Sequence, residues 1–159
     1  MTTERIHRFE NGGDSCVITD VRTPRCWNNY LWSEQGYCVQ ASQVGHGKSY
    51  YIDEKANLCQ LNNQEARYVY LRDDESGACW NIGEAPLLEP VDDYSCEHHI
   101  AATTIRSRKD GIEAAWRLFV PFNGYHEVWS IDLKNASQKP RKISMFSAIS
   151  FELEGFRYP

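Results

Sequence analysis

Along most of the chain, apolar and polar residues alternate with the period of two that is typical of β-strands. Trp129, Ile131 and Leu133 fall on one side of such a strand. Ser130 and Asp132 fall on the other side. Helical periodicity is almost absent. Strands are predicted at residues 16–19, 37–41, 49–52, 68–71, 79–82, 103–107, 112–120, 127–133 and 143–151.

Turn-forming residues separate these segments. Asp110 and Gly111 lie between two strong strand patterns and predict a tight hairpin. Pro121 lacks the amide hydrogen that a β-ladder needs, so it ends the second strand of that hairpin. Gly45 and Gly47, and the polar run 73–77, predict further turns.

The last predicted strand has apolar residues on both sides. One side carries Ile143, Met145, Ser147, Ile149 and Phe151. The other side carries Ser144, Phe146, Ala148 and Ser150. This pattern predicts a strand that is covered on both faces. Many short strands at near-regular spacing, without a linker, predict one all-β domain over residues 1–159, an antiparallel β-sandwich or barrel.

Composition excludes several classes of protein. Hydrophobic residues make up 42% of the 159 residues, which is ordinary for a globular domain and too many for a disordered chain. The formal charge of −5 and the lack of a basic patch argue against nucleic-acid binding. No apolar run is long enough for a membrane span, and the N-terminus lacks a signal-peptide pattern. A cytoplasmic location is therefore expected.

The cysteines and histidines do not form a recognised metal motif. The six cysteines contain no C-x-x-C pair, and in a cytosolic protein they stay reduced. They are Cys16, Cys26, Cys38, Cys59, Cys79 and Cys96. Asp92, Asp93, Cys96, His98 and His99 are the nearest approach to a ligand set. Adjacent residues of a strand point to opposite faces, so His98 and His99 would diverge and no metal site is expected.

Aromatic residues and glycines supply the candidates for sugar binding. Trp27, Tyr30, Trp32, Tyr50 and Tyr51 have flat rings that suit the C–H faces of pyranoses, although packing in a core would use the same rings. The Gly45-His46-Gly47 loop allows a close backbone approach to a ligand, or simply joins two strands. The residues themselves leave both alternatives open.

Several sequence segments, taken together, indicate a protein family. They comprise residues 17–31, the glycine-rich residues 43–51, residues 67–80, residues 111–121 and residues 127–151. Tyr94, Cys96, His98 and Thr103 fit a segment that reads Y-E-C-R-H-G-L-G-Y-T in that family. In their order and spacing, these segments resemble the N-terminal domain of the cellobiose and chitobiose phosphorylases of glycoside hydrolase family 94.

The resemblance implies a galactose mutarotase-like supersandwich that is followed, in the family, by linker helices and an (α/α)6 barrel. The barrel carries the general acid and the phosphate site. The reaction is inverting phosphorolysis of a β-linked disaccharide, with inorganic phosphate as co-substrate and no other cofactor. The family enzymes are homodimers. We therefore expect a truncated chain that lacks the catalytic barrel and all catalytic residues, and that exposes an apolar face.

The resemblance also selects the candidate binding residues. The glycine-rich loop lies toward the barrel in the family, and the residue at position 98 forms hydrogen bonds at a domain junction. The substrate-binding candidates are Trp27, Tyr30, Gly45, Gly47, Tyr51 and His98. Glu97 replaces an arginine of the family pattern and His46 interrupts its triple glycine. These departures leave the identity of the sugar open.

Two further functions are consistent with the residues. The chain could be a free-standing carbohydrate-binding or scaffolding module. It could also be a small mutarotase-type enzyme, for which His98 with Glu97 or Glu152 is the one acid–base set.

Overall fold

The structure is a computed structural model that describes residues 6–87 and 89–152. Within these residues the chain forms strands and one short 3-10 turn at Asn11–Gly13. The first strands are β1 His7–Glu10, β2 Ser15–Ile18, β3 Asn28–Trp32, β4 Tyr37–Ser42, β5 Ser49–Ile52, β6 Leu58–Gln60 and β7 Asn62–Asp73. The others are β8 Cys79–Asn81, β9 Asp93–His99, β10 Ala102–Lys109, β11 Ile112–Phe119, β12 Val128–Asn135 and β13 Ile143–Phe151.

These strands form three antiparallel sheets. The largest has the order β1-β2-β9-β10-β11-β12. A four-stranded sheet has the order β3-β4-β5-β6, and a three-stranded sheet has the order β13-β7-β8. Buried residues of all three sheets form one hydrophobic core, so the two smaller sheets pack against the large sheet. The predicted all-β, antiparallel β-sandwich is therefore confirmed.

The core lies between the large sheet and the two smaller ones. Each strand contributes alternate residues, as the period of two requires. The fully or nearly fully buried apolar side chains include Ile18, Ile105, Trp116 and Leu118 from the large sheet, Leu31 and Val39 from the four-stranded sheet, and Val69, Leu71 and Trp80 from the three-stranded sheet. Burial of such side chains supplies the main free energy of folding.

The predicted hairpin is present between β10 and β11. Asp110 and Gly111 both have positive φ angles, +50° and +79°, as a type I′ turn requires. The next strand, β12, places Leu133, Ile131 and Trp129 opposite Ala114, Trp116 and Leu118. The predicted apolar face of residues 127–133 therefore points toward the core.

The structure differs from the sequence-based expectation at β13. Both faces of this strand are largely open, with Met145 48%, Phe146 49% and Ile149 39% exposed. An irregularity between Ile149 and Phe151 also breaks the predicted alternation. The strand is at the edge of its sheet, and the described residues place no further layer over it.

Two other features concern the cellular context. All six cysteines lie in the described residues and carry free thiols. In residues 6–87 and 89–152 no helix has the length and apolar character that a bilayer crossing demands.

Candidate functional site

Two of the six candidate binding residues, Trp27 and His98, lie together at one end of the sandwich. The His98 side chain points inward from β9, and its Nε2 lies 2.9 Å from the Trp27 carbonyl oxygen. Its Nδ1 lies 3.0 Å from Thr103 Oγ1. Nε2–H therefore donates to the carbonyl and Nδ1 accepts from the hydroxyl. Burial lowers the pKa of His98, which favours the neutral ring.

Neighbouring amides hold the loop before β3 against the same end. Asn29 Nδ2 donates to the His99 carbonyl oxygen at 2.8 Å. Gln43 Nε2 donates to the Val21 carbonyl oxygen at 3.1 Å, and Gln43 Oε1 accepts from the Trp27 amide at 3.1 Å. These bonds use the polar atoms of the cluster internally. His98 therefore positions the Trp27 loop, and both of its ring nitrogens already have protein partners.

Gly45 and Gly47 are required by packing. Both have positive φ angles, +85° and +144°. A Cβ atom on Gly45 would lie 2.3 Å from the Trp116 ring, and one on Gly47 would lie 2.0 Å from the Gln40 carbonyl oxygen. No side chain fits at either position, because contacts under 3.0 Å essentially never occur for Cβ atoms. The backbone at these two glycines therefore lies close to the protein's own core.

The remaining two candidates lie apart from this end. Tyr30 is on the outer face of β3 and is 61% exposed. Tyr51 is half-buried on β5, and its ring makes an edge contact with Tyr125 at 5.8 Å between centroids. The structure therefore brings Trp27 and His98 together, and it does not gather all six candidates into one cleft.

Sequence reasoning missed a buried ion pair between β7 and the start of β12. Arg67 has a fully buried side chain, and its Nε donates to Glu127 Oε1 at 2.7 Å. Its Nη2 donates to Glu127 Oε2 at 2.9 Å, which makes the pair bidentate. Arg67 Nη1 also donates to the Gly47 carbonyl oxygen at 2.6 Å. The pair thus connects three segments of chain.

Further hydrogen bonds satisfy the Glu127 carboxylate. Trp129 Nε1 donates to Glu127 Oε1 at 2.9 Å, and Ser49 Oγ donates to Oε2 at 3.1 Å. The sequence did carry a signal, because Arg67 occupies the same face as Val69, and Glu127 the same face as Trp129. A charge at each of two core-facing positions predicts pairing, since an isolated buried charge is very unfavourable.

A second ion pair joins the last residue of β7 to the chain before β13. Arg141 makes a two-pronged contact with Asp73 through Nε and Nη2. The amides of Glu75 and Ser76 also donate to Asp73. Backbone hydrogen bonds and the Arg141 guanidinium together lower the pKa of Asp73 to about 2. This pair stabilises one end of the sandwich and lines a shallow, solvent-open hollow.

The outer face of the large sheet forms a charged groove. Its lining includes the charged residues Arg106 and Asp132 and the small residues Ser95 and Ala115. Glu97 also belongs to this face, where it accepts from Arg106 at 3.2 Å. His98 points to the inner face of the same strand. The structure therefore separates Glu97 from His98, and this acid–base set for a mutarotase reaction is not assembled.

An apolar cleft of about 370 Å³ opens at the tip of the sandwich, close to β3. The largest side chains in its lining are Trp32, Ile100 and Phe122, which are 67%, 82% and 62% exposed. It is lined without a carboxylate or an imidazole. This cleft therefore offers apolar packing surface rather than acid–base groups.

Comparison with known proteins gives a consistent result. A family model described as "Glycosyl hydrolase 94, supersandwich domain" matches residues 14–155. The chain is 37% identical over 147 residues to the 3-O-beta-D-glucopyranosyl-beta-D-glucuronide phosphorylase of Paenibacillus borealis, covering 92% of this chain and 19% of that protein. It is 33% identical to the solabiose phosphorylase of the same organism, covering 93% and 20%.

A relative from another genus agrees. The N,N'-diacetylchitobiose phosphorylase of Vibrio furnissii is 32% identical over 151 residues, covering 90% of this chain and 19% of that protein. The chain therefore spans about a fifth of the length of the curated relatives that it matches. With nearly the whole β-sandwich inside the matched range, the chain belongs to the glycosyl hydrolase 94 family and corresponds to its supersandwich domain.

Proposed function

We infer that this chain is the non-catalytic supersandwich of a phosphorylase that cleaves a β-linked disaccharide with inorganic phosphate. One observation carries the inference: nine-tenths of the chain aligns with about a fifth of each of three phosphorylases whose names specify different disaccharides. A segment shared by enzymes with different substrates is expected to provide a common scaffold. The sugar is then selected elsewhere in the enzyme.

Hydrogen bonds inside the domain support the proposal that catalysis takes place in another part of the enzyme. His98, Arg67 and Glu127 have their polar atoms engaged in internal hydrogen bonds, so they are not free for proton transfer. The general acid and the phosphate site are then expected on an (α/α)6 catalytic domain of the whole enzyme. The half-exposed inner side chains of Met145 and Ile149 offer apolar surface for packing against such additional chain.

The proposal extends to context. The six free thiols suit a reducing compartment such as the cytoplasm. The whole enzyme is expected to be a homodimer that uses phosphate as a co-substrate and needs no other cofactor. Trp27 and His98, which the structure brings together, are proposed to shape the wall of the substrate entrance, His98 through the loop that it holds.

A chimera tests the proposal. The matched segment of the Vibrio furnissii phosphorylase is replaced by residues 14–155 of this chain, and phosphate-dependent release of sugar 1-phosphate from N,N'-diacetylchitobiose is measured. An active chimera is expected, because an equivalent domain preserves the geometry of the rest. The 159-residue chain alone is expected to release none. Sugar 1-phosphate formed by the chain alone would contradict the proposal, as would a folded, dimeric and inactive chimera.

A further inference from the structure

The outer face of the four-stranded sheet presents aromatic rings in register, away from the cluster of Trp27 and His98. On β3, Tyr30 and Trp32 point outward and are 61% and 67% exposed, whereas Leu31 between them is buried. Trp32 is opposite Cys38 on β4, which is opposite Tyr50 on β5. The rings of Trp32 and Tyr50 therefore originate two strands apart, about 10 Å across the sheet.

A primary amide lies among these rings. Gln40 is directly opposite Tyr30 and diagonal to both Trp32 and Tyr50 in the ladder. Its side-chain amide makes no hydrogen bond to the described residues, so a donor and an acceptor remain available. Gln60, opposite Tyr50, adds a second amide, and its Oε1 accepts from Lys48 Nζ at 2.7 Å. Three aromatic rings and two amides thus share the face.

This composition distinguishes between possible ligands. Lys48 is the one charged residue in these rows, and Gln60 already engages it. A face with so little charge is poorly suited to nucleic acid or to an acidic ligand. A typical protein interface confines its polar groups to a rim around an apolar centre. Here Gln40 stands at the centre, between three rings.

We propose that the face formed by Tyr30, Trp32, Gln40, Tyr50 and Gln60 is a binding platform for a neutral oligo- or polysaccharide. The rings would stack on the apolar C–H faces of successive pyranose units. The amides would bind the equatorial hydroxyl groups with the few directed polar contacts that fix orientation in a ligand site. The choice of a carbohydrate as ligand rests on the proposed function. The positions of the rings and amides come from the structure and do not depend on it.

Affinity electrophoresis of the purified 159-residue chain in native gels tests the platform. The gels contain hydroxyethyl cellulose or glycol chitin, and a gel with dextran controls for non-specific retardation. Retardation by at least one β-linked polymer is expected. Trp32→Ala should weaken the association roughly tenfold, the effect of losing one stacked ring. Phe9→Ala is the matched control, because Phe9 is 68% exposed on a different sheet.

Each outcome has a definite meaning. No retardation of the wild-type chain overturns the proposal, and so does equal retardation of the Trp32→Ala and Phe9→Ala variants. Trp32→Tyr, which keeps a ring, should restore most of the retardation and confirms that stacking matters. Concentration-dependent self-association in light scattering that Trp32→Ala abolishes would identify a second copy as the occupant and overturn the platform.

The two proposals fail separately. An inactive chimera alongside retardation that depends on Trp32 would overturn the phosphorylase assignment and leave the platform standing. An active chimera alongside an unretarded chain would do the reverse.

Discussion

Strands β7 and β13 are paired neighbours in one sheet, and their inner side chains have very different surroundings. Leu71 on β7 is fully buried, whereas its partner Met145 on β13 is 48% exposed. The edge strand of the large sheet repeats the contrast, because Ala114 on β11 is buried and its partner Leu133 on β12 is 43% exposed. Paired strands have the same alternation of inner and outer side chains. Whether an inner side chain is buried therefore depends on whether a facing sheet extends over the strand that carries it.

The largest effect is expected at the most deeply buried charge on β7. Arg67→Ala leaves Glu127 buried without its partner, which should lower the free energy of unfolding by about 3–5 kcal/mol. Urea denaturation followed by tryptophan fluorescence measures this loss. Arg106→Ala, which removes a partly exposed pair with Glu97, is the control and should cost below about 1 kcal/mol. Equal losses in the two variants would contradict a special role for the buried pair.

The comparison of β7 with β13 is tested by one matched pair of substitutions. Leu71→Ala opens a cavity in the closed core and should cost about 2–5 kcal/mol. Met145→Ala removes a side chain of similar size on the same face, but solvent already covers half of it. Its cost should stay below about 1 kcal/mol, within the range for surface sites. Comparable losses in urea denaturation would show that something covers β13.

Two glycines, Gly47 in the β4–β5 connection and Gly77 in the β7–β8 connection, allow a similar comparison. Gly47→Ala combines a strained positive φ with a collision against the Gln40 carbonyl, so a loss of about 2–4 kcal/mol is expected. Gly77→Ala is the control, because Gly77 also has a positive φ but open space around it. Strain alone should cost about 1 kcal/mol there. The difference between the two melting temperatures measures the steric component, and its absence would contradict the packing.

A smaller effect is expected from pH. Burial lowers the pKa values of His46 and His98, so below the unfolded value near 6.5 the unfolded chain binds more protons than the folded chain. These two groups should therefore add no pH dependence between about pH 7 and 8, and they should lower stability as the pH drops from about 6.5 toward their lower, folded-state values. Thermal unfolding at pH 7.5 and pH 5.5 checks this. The double variant His46→Phe and His98→Gln should show a weaker dependence. An unchanged dependence would assign the effect to other groups.

Much of the fold could be predicted from the sequence because its signals are local. The period of two identified the core strands, and the Asp110-Gly111 turn identified the β10–β11 hairpin. Strands β1, β3, β6 and β9 were missed, since short strands with mixed polar residues carry little periodicity. Ser95, Glu97 and His99 lie on the partly exposed outer side of β9, so only every second residue of this strand is buried and it carries no apolar run.

The candidate site was less predictable, because a sugar-binding ring and a packing ring are the same residue in a sequence. Trp27 proved to be half-buried and tied to His98, whereas Tyr30 is open to solvent. Gly45 faces the protein's own Trp116 ring. Whether such a residue packs inside the protein or faces solvent depends on contacts between segments that lie 16 to 71 residues apart along the chain.

The sequence by itself determined the class of fold, the turns and the family, because alternation, turn chemistry and ordered phrases are properties of neighbouring residues. The tertiary structure alone decided which apolar faces are closed, that Arg67 and Glu127 neutralise each other in the core, and that Tyr30, Trp32 and Tyr50 share an outer face with Gln40. The physical reason is that burial and charge compensation depend on which strands lie opposite one another. A single strand's pattern carries no record of that pairing.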